Sequence, residues 1–369
     1  MTSSPPTATS GTEAIPKPYR WIMLAGTWFI YYCFSLIVVS TAPLVKPVTE
    51  DLGLSLSAMG SLMGAWPLVY IAAAIPAGAF LDRFGVRRAL LIAAVIMAAS
   101  ALLRATATGY MSLFFAIALF GLGGPLISVG APKLISAWFS GKERGLAMGI
   151  YITGPSLGGI TALALTNSVF MPFTGSDWRA VLLIYACITL VAAFVWCLIT
   201  RPIHSRVDEN LPGRASLSEQ LQIFSGLLSL PSVRLVLVMG VGIFAFNHGL
   251  NNWLPEILRR GGMSSVEAGY WAALPTAVGI IGALALPRFA TPHRRQPMLV
   301  ALLLCAAGAA FLINVASGGV LAIGLCLQGT SRSAMMPSNL ENRSVPSPAR
   351  STGWSDCEMP RLISRPAAW

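Results

Sequence analysis

The chain has 369 residues, of which 55% are hydrophobic and only 11% charged; its formal net charge is +11 and its mean hydropathy +0.69. A soluble domain of ordinary composition carries about a quarter charged residues, so a single soluble core is excluded. Repeated apolar runs of about 20 residues predict a polytopic α-helical membrane protein, and the alternating ten-residue strands of a membrane barrel are absent.

The basic excess does not point to nucleic acid. The Lys and Arg residues are scattered through short loops rather than stacked on one face, which is how a membrane protein sets its orientation. Cys33, Cys187, Cys197, Cys305, Cys326 and Cys357 form no metal-ligand spacing. No metal or cofactor is called for.

In chain order, residues 1–20 are rich in Ser, Thr and Pro and read as a disordered cytoplasmic tail. Ten spans follow, at 21–43, 57–81, 89–106, 110–138, 145–170, 179–200, 233–256, 266–288, 297–314 and 319–336. Residues 21–200 make an N-terminal six-helix bundle. Residues 201–232 are the longest polar interruption, a cytoplasmic linker in which Leu217 to Leu230 could form an amphipathic interfacial helix. Residues 233–336 make an incomplete C-terminal bundle of four helices.

The loops set the topology. Arg83, Arg87, Arg88, Lys142 and Arg144 fall on one side with Lys17 and Arg20; Lys46, Arg104, Arg179, Arg259 and Arg260 fall on the other. The first side is therefore expected to be cytoplasmic, with the N-terminus inside.

The loop after the second span reads Gly78-Ala-Phe-Leu-Asp82-Arg83-Phe-Gly85-Val-Arg87-Arg88. Its glycines allow two helix ends to approach and turn. A positive-inside turn explains the arginines but not Asp82 and both glycines at this spacing. The stretch resembles the loop signature between helices 2 and 3 of the major facilitator superfamily. That resemblance covers residues 20–336 and implies two parallel bundles rocking about a midplane site. It also implies a conformational role for Gly78, Asp82, Arg83, Gly85, Arg87 and Arg88. A degraded repeat, Leu286-Pro-Arg-Phe-Ala-Thr-Pro-His-Arg-Arg295, follows the eighth span and fits the two-bundle plan. The family has twelve helices, and residues 337–369 cannot span a bilayer. A truncated or frame-shifted C-terminus is expected, a cytoplasmic tail being the simpler alternative.

The fifth span carries Gly149, Gly154, Pro155, Gly158 and Gly159. Small residues four apart let helices pack backbone to backbone, and the proline kinks the span. The group resembles the fifth-helix motif of the same superfamily, though packing alone would also select it.

No carboxylate lies deep in a span, which argues against a cation exporter. Two cations do lie within spans, Lys133 and Arg332. Lys133 can line a cavity or snorkel to the interface. Arg332 needs an anion, a polar cavity or a partner helix. The resemblance implies that spans four and ten both line the cavity, and two cations there would suit an anionic substrate. In the seventh span Asn247 and Asn251 stand one helical turn apart, with His248, which can titrate near neutrality, between them. Tyr31 and Tyr32 in the first span are either substrate contacts or packing aromatics.

Four short segments narrow the resemblance: Ala131-Pro-Lys133-Leu-Ile, Trp138-Phe-x-x-Lys-Glu-Arg144-Gly, Leu165-Thr-Asn167-Ser-Val and Gln328-Gly-x-Ser-Arg332-Ser. Together they are similar to the cyanate permease and nitroimidazole transporter branch. The expectation is a monomeric secondary transporter of a small, anionic solute in the inner (plasma) membrane, with a proton as the candidate coupling ion. The alternatives are a drug exporter of the same fold and a non-functional truncated fragment. A membrane enzyme would need a metal or nucleophile constellation, and His204, His248 and His293 are far apart.

Overall fold

The computed structural model describes residues 17–201, 217–289, 295–315 and 318–332, and every regular element among them is helical. In hydrocarbon each backbone N–H and C=O must be satisfied within its own segment, so apolar runs of this length become helices. Helix α1 is Lys17–Val39, and a short α2, Val45–Leu52, follows it. Helices α3 (Leu56–Ala105), α4 (Tyr110–Trp138) and α5 (Gly141–Leu165) come next. A π-helical segment, Thr166–Phe170, and a three-residue turn α6, Met171–Phe173, extend α5. Helix α7 is Trp178–Thr200 and α8 is Leu217–Leu228. The remaining helices are α9 (Pro231–Arg260), α10 (Ser265–Phe289), α11 (Arg295–Val315) and α12 (Gly318–Arg332). Six described helices are long and apolar enough to cross a membrane.

These elements fall on the predicted spans, with one instructive merger. Straight, the fifty residues of α3 would run about 75 Å, far beyond a hydrocarbon core of about 30 Å. The helix is broken at Gly85, where φ is 79° and ψ 159°. That backbone conformation is open essentially only to glycine. The predicted loop of several residues is thus a corner made at one residue, and α3 supplies two spans.

The amphipathic helix expected in the linker is present as α8. Helix α2 was not anticipated; it is amphipathic and closes on Gly53 in the left-handed region, φ 62°. Residues 1–16, residues 202–216 of the linker, the second Arg-Arg loop at 290–294 and the tail 337–369 lie outside the described residues, whereas residues 17–20, expected in the disordered tail, already belong to α1.

Two ends of the bundle can be defined by their ion pairs. At the Asp82 end, Arg20 Nη1 lies 3.2 Å from Glu143 Oε2, and Trp196 Nε1 donates to the Arg87 carbonyl at 3.0 Å. At the Asp51 end, Arg179 Nη1 lies 2.6 Å from Asp51 Oδ2, and its Nη2 donates to the Ala107 carbonyl at 3.1 Å.

Helices α1, α3, α4, α5 and α7 share one large core, with Leu36, Trp66, Ala93, Phe120, Tyr185 and Trp196 at its centre. A smaller core joins Ala42 of the α1–α2 connection and Leu163 of α5 to Leu254, Leu258, Ala272 and Leu325 of α9, α10 and α12. The first six spans therefore close on themselves, and the later helices meet them near the Asp51 end. Arg104, at the end of the predicted span 89–106 and counted there with the orienting charges, sits in the last turn of α3 and is 2% exposed rather than open to the interface.

Candidate functional site

The polar face of α9 carries Asn247, His248 and Asn251. Asn247 is buried. The His248 ring lies 5.2 Å from the Trp66 ring of α3, edge to face, and 4.0 Å from Phe244. Asn251 Oδ1 accepts from Gln328 Nε2 of α12 at 3.4 Å, and Gln328 is fully buried. Helix α9 thus meets α3 through an imidazole and an indole, and α12 through a pair of amides, within one helical turn of its own chain.

Aromatic rings continue the wall into the first bundle. Trp66 meets Tyr70 at 6.1 Å and Phe34 at 6.5 Å. Phe34 meets Tyr31, which stacks on Tyr151 at 5.5 Å with the planes 8° apart. Tyr70 and Ser128 share a hydrogen bond of 2.5 Å. Flat apolar walls with a few convergent donors and acceptors suit a small, planar, polar solute. The described acidic side chains Glu50, Asp51, Asp82, Glu143, Asp177, Glu256 and Glu267 lie in turns, near helix ends or beside the Gly85 break.

The sequence-predicted residues separate into groups. Asn247, His248 and Asn251 come together on α9, and Tyr31 joins them through Phe34 and Trp66. Tyr32 turns elsewhere, stacked on Trp28 at 5.7 Å and Phe29 at 6.2 Å. Lys133 Nζ is 2.5 Å from Asp82 Oδ1, so its charge is engaged at the Asp82 end. The Arg332 side chain lies outside the described residues, though α12 reaches that position. Trp66, Tyr70, Tyr151, Phe244 and Gln328 are not among the site residues the sequence predicts. Gln328 was within reach, being a glutamine inside an apolar run; an aromatic in such a run gives no signal of its own.

The corner motif has a definite geometry. Gly78 lies inside α3, half-buried. Asp82 accepts from Lys133 of α4. Gly85 makes the break, and the carbonyl of Arg87 takes the Trp196 indole of α7. Arg83 and Arg88 are exposed, Arg83 lying 5.3 Å over the Phe84 ring. The fold of this corner therefore depends on Asp82, Gly85 and the Arg87 backbone, while two arginines are left to solvent or lipid headgroups.

The α5 motif packs on α1, except at one position. A Cβ on Gly154 would fall 2.9 Å from the Trp28 carbonyl, and one on Gly159 3.2 Å from Ser35 Oγ. One on Gly158 would overlap the Tyr32 carbonyl, whereas one on Gly149 would meet nothing within 4 Å. Pro155 sits within α5 between these contacts. Close backbone approach explains Gly154, Gly158 and Gly159; nothing in the structure explains Gly149.

At the Asp51 end the early and late helices are in contact. Asn167, in the π-helical segment, donates from Nδ2 to the Pro43 carbonyl at 3.2 Å and to the Ser265 carbonyl at 3.3 Å. Beside it Glu256, 5% exposed, accepts from Arg259 at 2.7 and 2.8 Å and from Arg260 at 2.9 Å. Lys46, Asn167, Glu256 and Arg259 line a cavity of about 10 Å³ there, room for little more than one water.

Comparison with known proteins places this geometry. The profile of the Major Facilitator Superfamily matches residues 24–353. The 4-hydroxybenzoate transporter of Pseudomonas aeruginosa is 24% identical, over 92% of this chain and 82% of its own length. The 2-nitroimidazole transporter of Escherichia coli is 26% identical, over 85% and 81%. The hexuronate transporter of Bacillus subtilis is 24% identical, over 71% and 61%. The chain spans about two thirds of the length of several curated relatives that it matches. Among solved structures, an inward-facing, unoccupied bacterial homolog of the human lysosomal transporter Spinster superposes with a TM-score of 0.66, at 18% identity, covering 87% of this chain and 74% of that one. Sequence, helix arrangement and structural likeness agree, and this multi-pass membrane chain belongs to the major facilitator superfamily of transporters.

Proposed function

We propose that the protein is a secondary transporter of a small organic anion, moving it by alternating access past the α9 face. The observation that carries this reading is that α9 sets His248 against Trp66 and Asn251 against buried Gln328, with buried Asn247 one helical turn from Asn251. Amide and imidazole N–H groups can replace the water around a carboxylate, and desolvating an anion is otherwise costly. The aromatic wall would hold a planar body. Arg332 is a further proposed ligand, one turn beyond Gln328 on α12. Relatives named for hexuronate, 4-hydroxybenzoate and galactarate or glucarate transport favour an anion.

Lys133 belongs, in this account, to a gate with Asp82 rather than to the substrate site. Arg83, Arg87, Arg88, Lys142 and Arg144 all lie at the Asp82 end, which supports a cytoplasmic position for that end and for the N-terminus. The contacts of Asn167 then close the outer face, and the form described is closed to the outside. His248 is the candidate carrier of a coupling proton. The early helices to Thr200 and the later ones from Pro231 would act as the two rocking units, in the plasma membrane and as a monomer.

The test is uptake into proteoliposomes of a labelled panel: small aromatic and sugar-derived carboxylates, their neutral analogues, and organic cations. Saturable carboxylate uptake that unlabelled carboxylates compete is expected. Uptake of the cations alone would favour the drug-exporter alternative instead.

A further inference from the structure

Arg104 ends the last turn of α3 in the Asp51 half of the first bundle, away from the α9 face. Its side chain is 2% exposed. Only Nη1 finds acceptors, the Ile37 carbonyl and Thr41 Oγ1, each at 3.3 Å. Nε and Nη2 are buried and meet no acceptor. The guanidinium carbon stands 5.6 Å from the centre of the Phe120 ring, and among the described residues no carboxylate pairs with Arg104. Guanidinium stays charged at any ordinary pH, so this is a buried cation without a counter-charge. Such a group is among the costliest in a protein interior.

A small cavity adjoins it. Arg104 lines it together with Thr41, Leu44, Met59, Leu113 and Trp178. Trp178 is 3% exposed, and its Nε1 is also buried without an acceptor. The cavity has about 10 Å³ for an occupant, room for a single small species. A carboxylate or phosphate is too large. Apart from Thr41, Arg104 and the Trp178 N–H the named wall is apolar, and the unmet groups of Arg104 and Trp178 are all donors.

We propose that Arg104 and Trp178 hold a monatomic anion of the chloride class, separate from the transported solute. A water could accept from these donors but would leave the charge of Arg104 uncompensated. An anion satisfies the donors and the charge together. The bound ion would brace the α1–α2 connection, since Thr41 lies two residues before Pro43, whose carbonyl Asn167 holds.

The experiment is thermal unfolding of the purified full chain in detergent, in sodium chloride, sodium bromide and sodium gluconate at equal ionic strength. Saturable stabilisation by chloride and bromide over gluconate is expected. Trp178→Phe, which keeps the ring, should raise the half-saturating bromide concentration about fivefold, and Arg104→Gln should abolish the halide dependence. Should Arg104→Gln fail to fold, the bromide titration of Trp178→Phe decides the matter. Equal unfolding temperatures in all three salts, or a halide effect unchanged by Trp178→Phe, would overturn the site and leave a buried water as its occupant.

Discussion

Lys133 Nζ and Asp82 Oδ1 stand 2.5 Å apart, joining the middle of α3 to α4 next to the Gly85 corner. The two side chains keep 28% and 25% of their surface, so the pair is neither fully exposed nor fully dry. A coupling of about 1 kcal/mol is expected, between the surface and buried limits. Asp82→Asn should slow transport several-fold while leaving substrate affinity nearly unchanged, because the pair sits at a bundle end. Lys133→Gln should do the same, and the double variant should be little worse than either alone. Initial uptake rates and equilibrium binding, compared across the double-mutant cycle, check this. Additive losses, or a loss confined to affinity, would return Lys133 to the substrate site.

Gly85 has φ 79° and ψ 159° in the corner between two spans. A side chain there must occupy a conformation that costs on the order of 1–3 kcal/mol. Gly85→Ala should therefore lower the unfolding temperature in detergent and reduce the folded yield. Gly149→Ala is the control. Its Cβ would meet nothing and alanine favours helix, so stability should hold or rise.

Asn167 joins the Pro43 and Ser265 carbonyls at the Asp51 end. Two hydrogen bonds are worth about 1–3 kcal/mol together, enough to shift a conformational equilibrium by roughly fivefold to a hundredfold. Asn167→Ala should populate the form open at this end. Spin labels at Lys46 and Val266, in a cysteine-free background, should then report a longer and broader distance distribution. An unchanged distribution would mean that the apolar contacts of Ala42, Leu163 and Ala268 alone keep this end shut.

Much of the fold could be read from the chain because apolar runs and charged breaks are local signals. The span 110–138 coincides with α4, and 179–200 with α7 to within a residue. The site was less legible because its contacts are not local. The Asn247, His248 and Asn251 face shows as amides among apolar residues, yet nothing in the chain tells that His248 meets Trp66. Nor does spacing reveal that Lys133 is neutralised by Asp82, 51 residues earlier. Arg104 closes an apolar run, where a loop arginine and a buried one look alike; only its burial and the Ile37 and Thr41 acceptors that it meets distinguish them. The π-helical turn at Asn167 leaves no periodicity long enough to detect.

Asn251 and Gln328 tie α9 to α12 at 3.4 Å. If this link shapes the substrate site, Asn251→Leu should weaken substrate binding by about tenfold, since a buried polar partner of Gln328 is lost together with a ligand group. Tyr32→Phe, on the other side of α1 against Trp28, should leave binding within about twofold. Direct binding to the purified chain, with thermal unfolding as a check on folding, separates the two.

The most direct measurement compares a carboxylate with its own neutral amide. Calorimetric binding of 4-hydroxybenzoate and 4-hydroxybenzamide to the purified chain varies charge at nearly constant shape. Tighter binding of the carboxylate, weakened by His248→Gln and Asn251→Leu, is the result that an anion site on the α9 face predicts. Equal or tighter binding of the amide, or carboxylate binding indifferent to both substitutions, would contradict it.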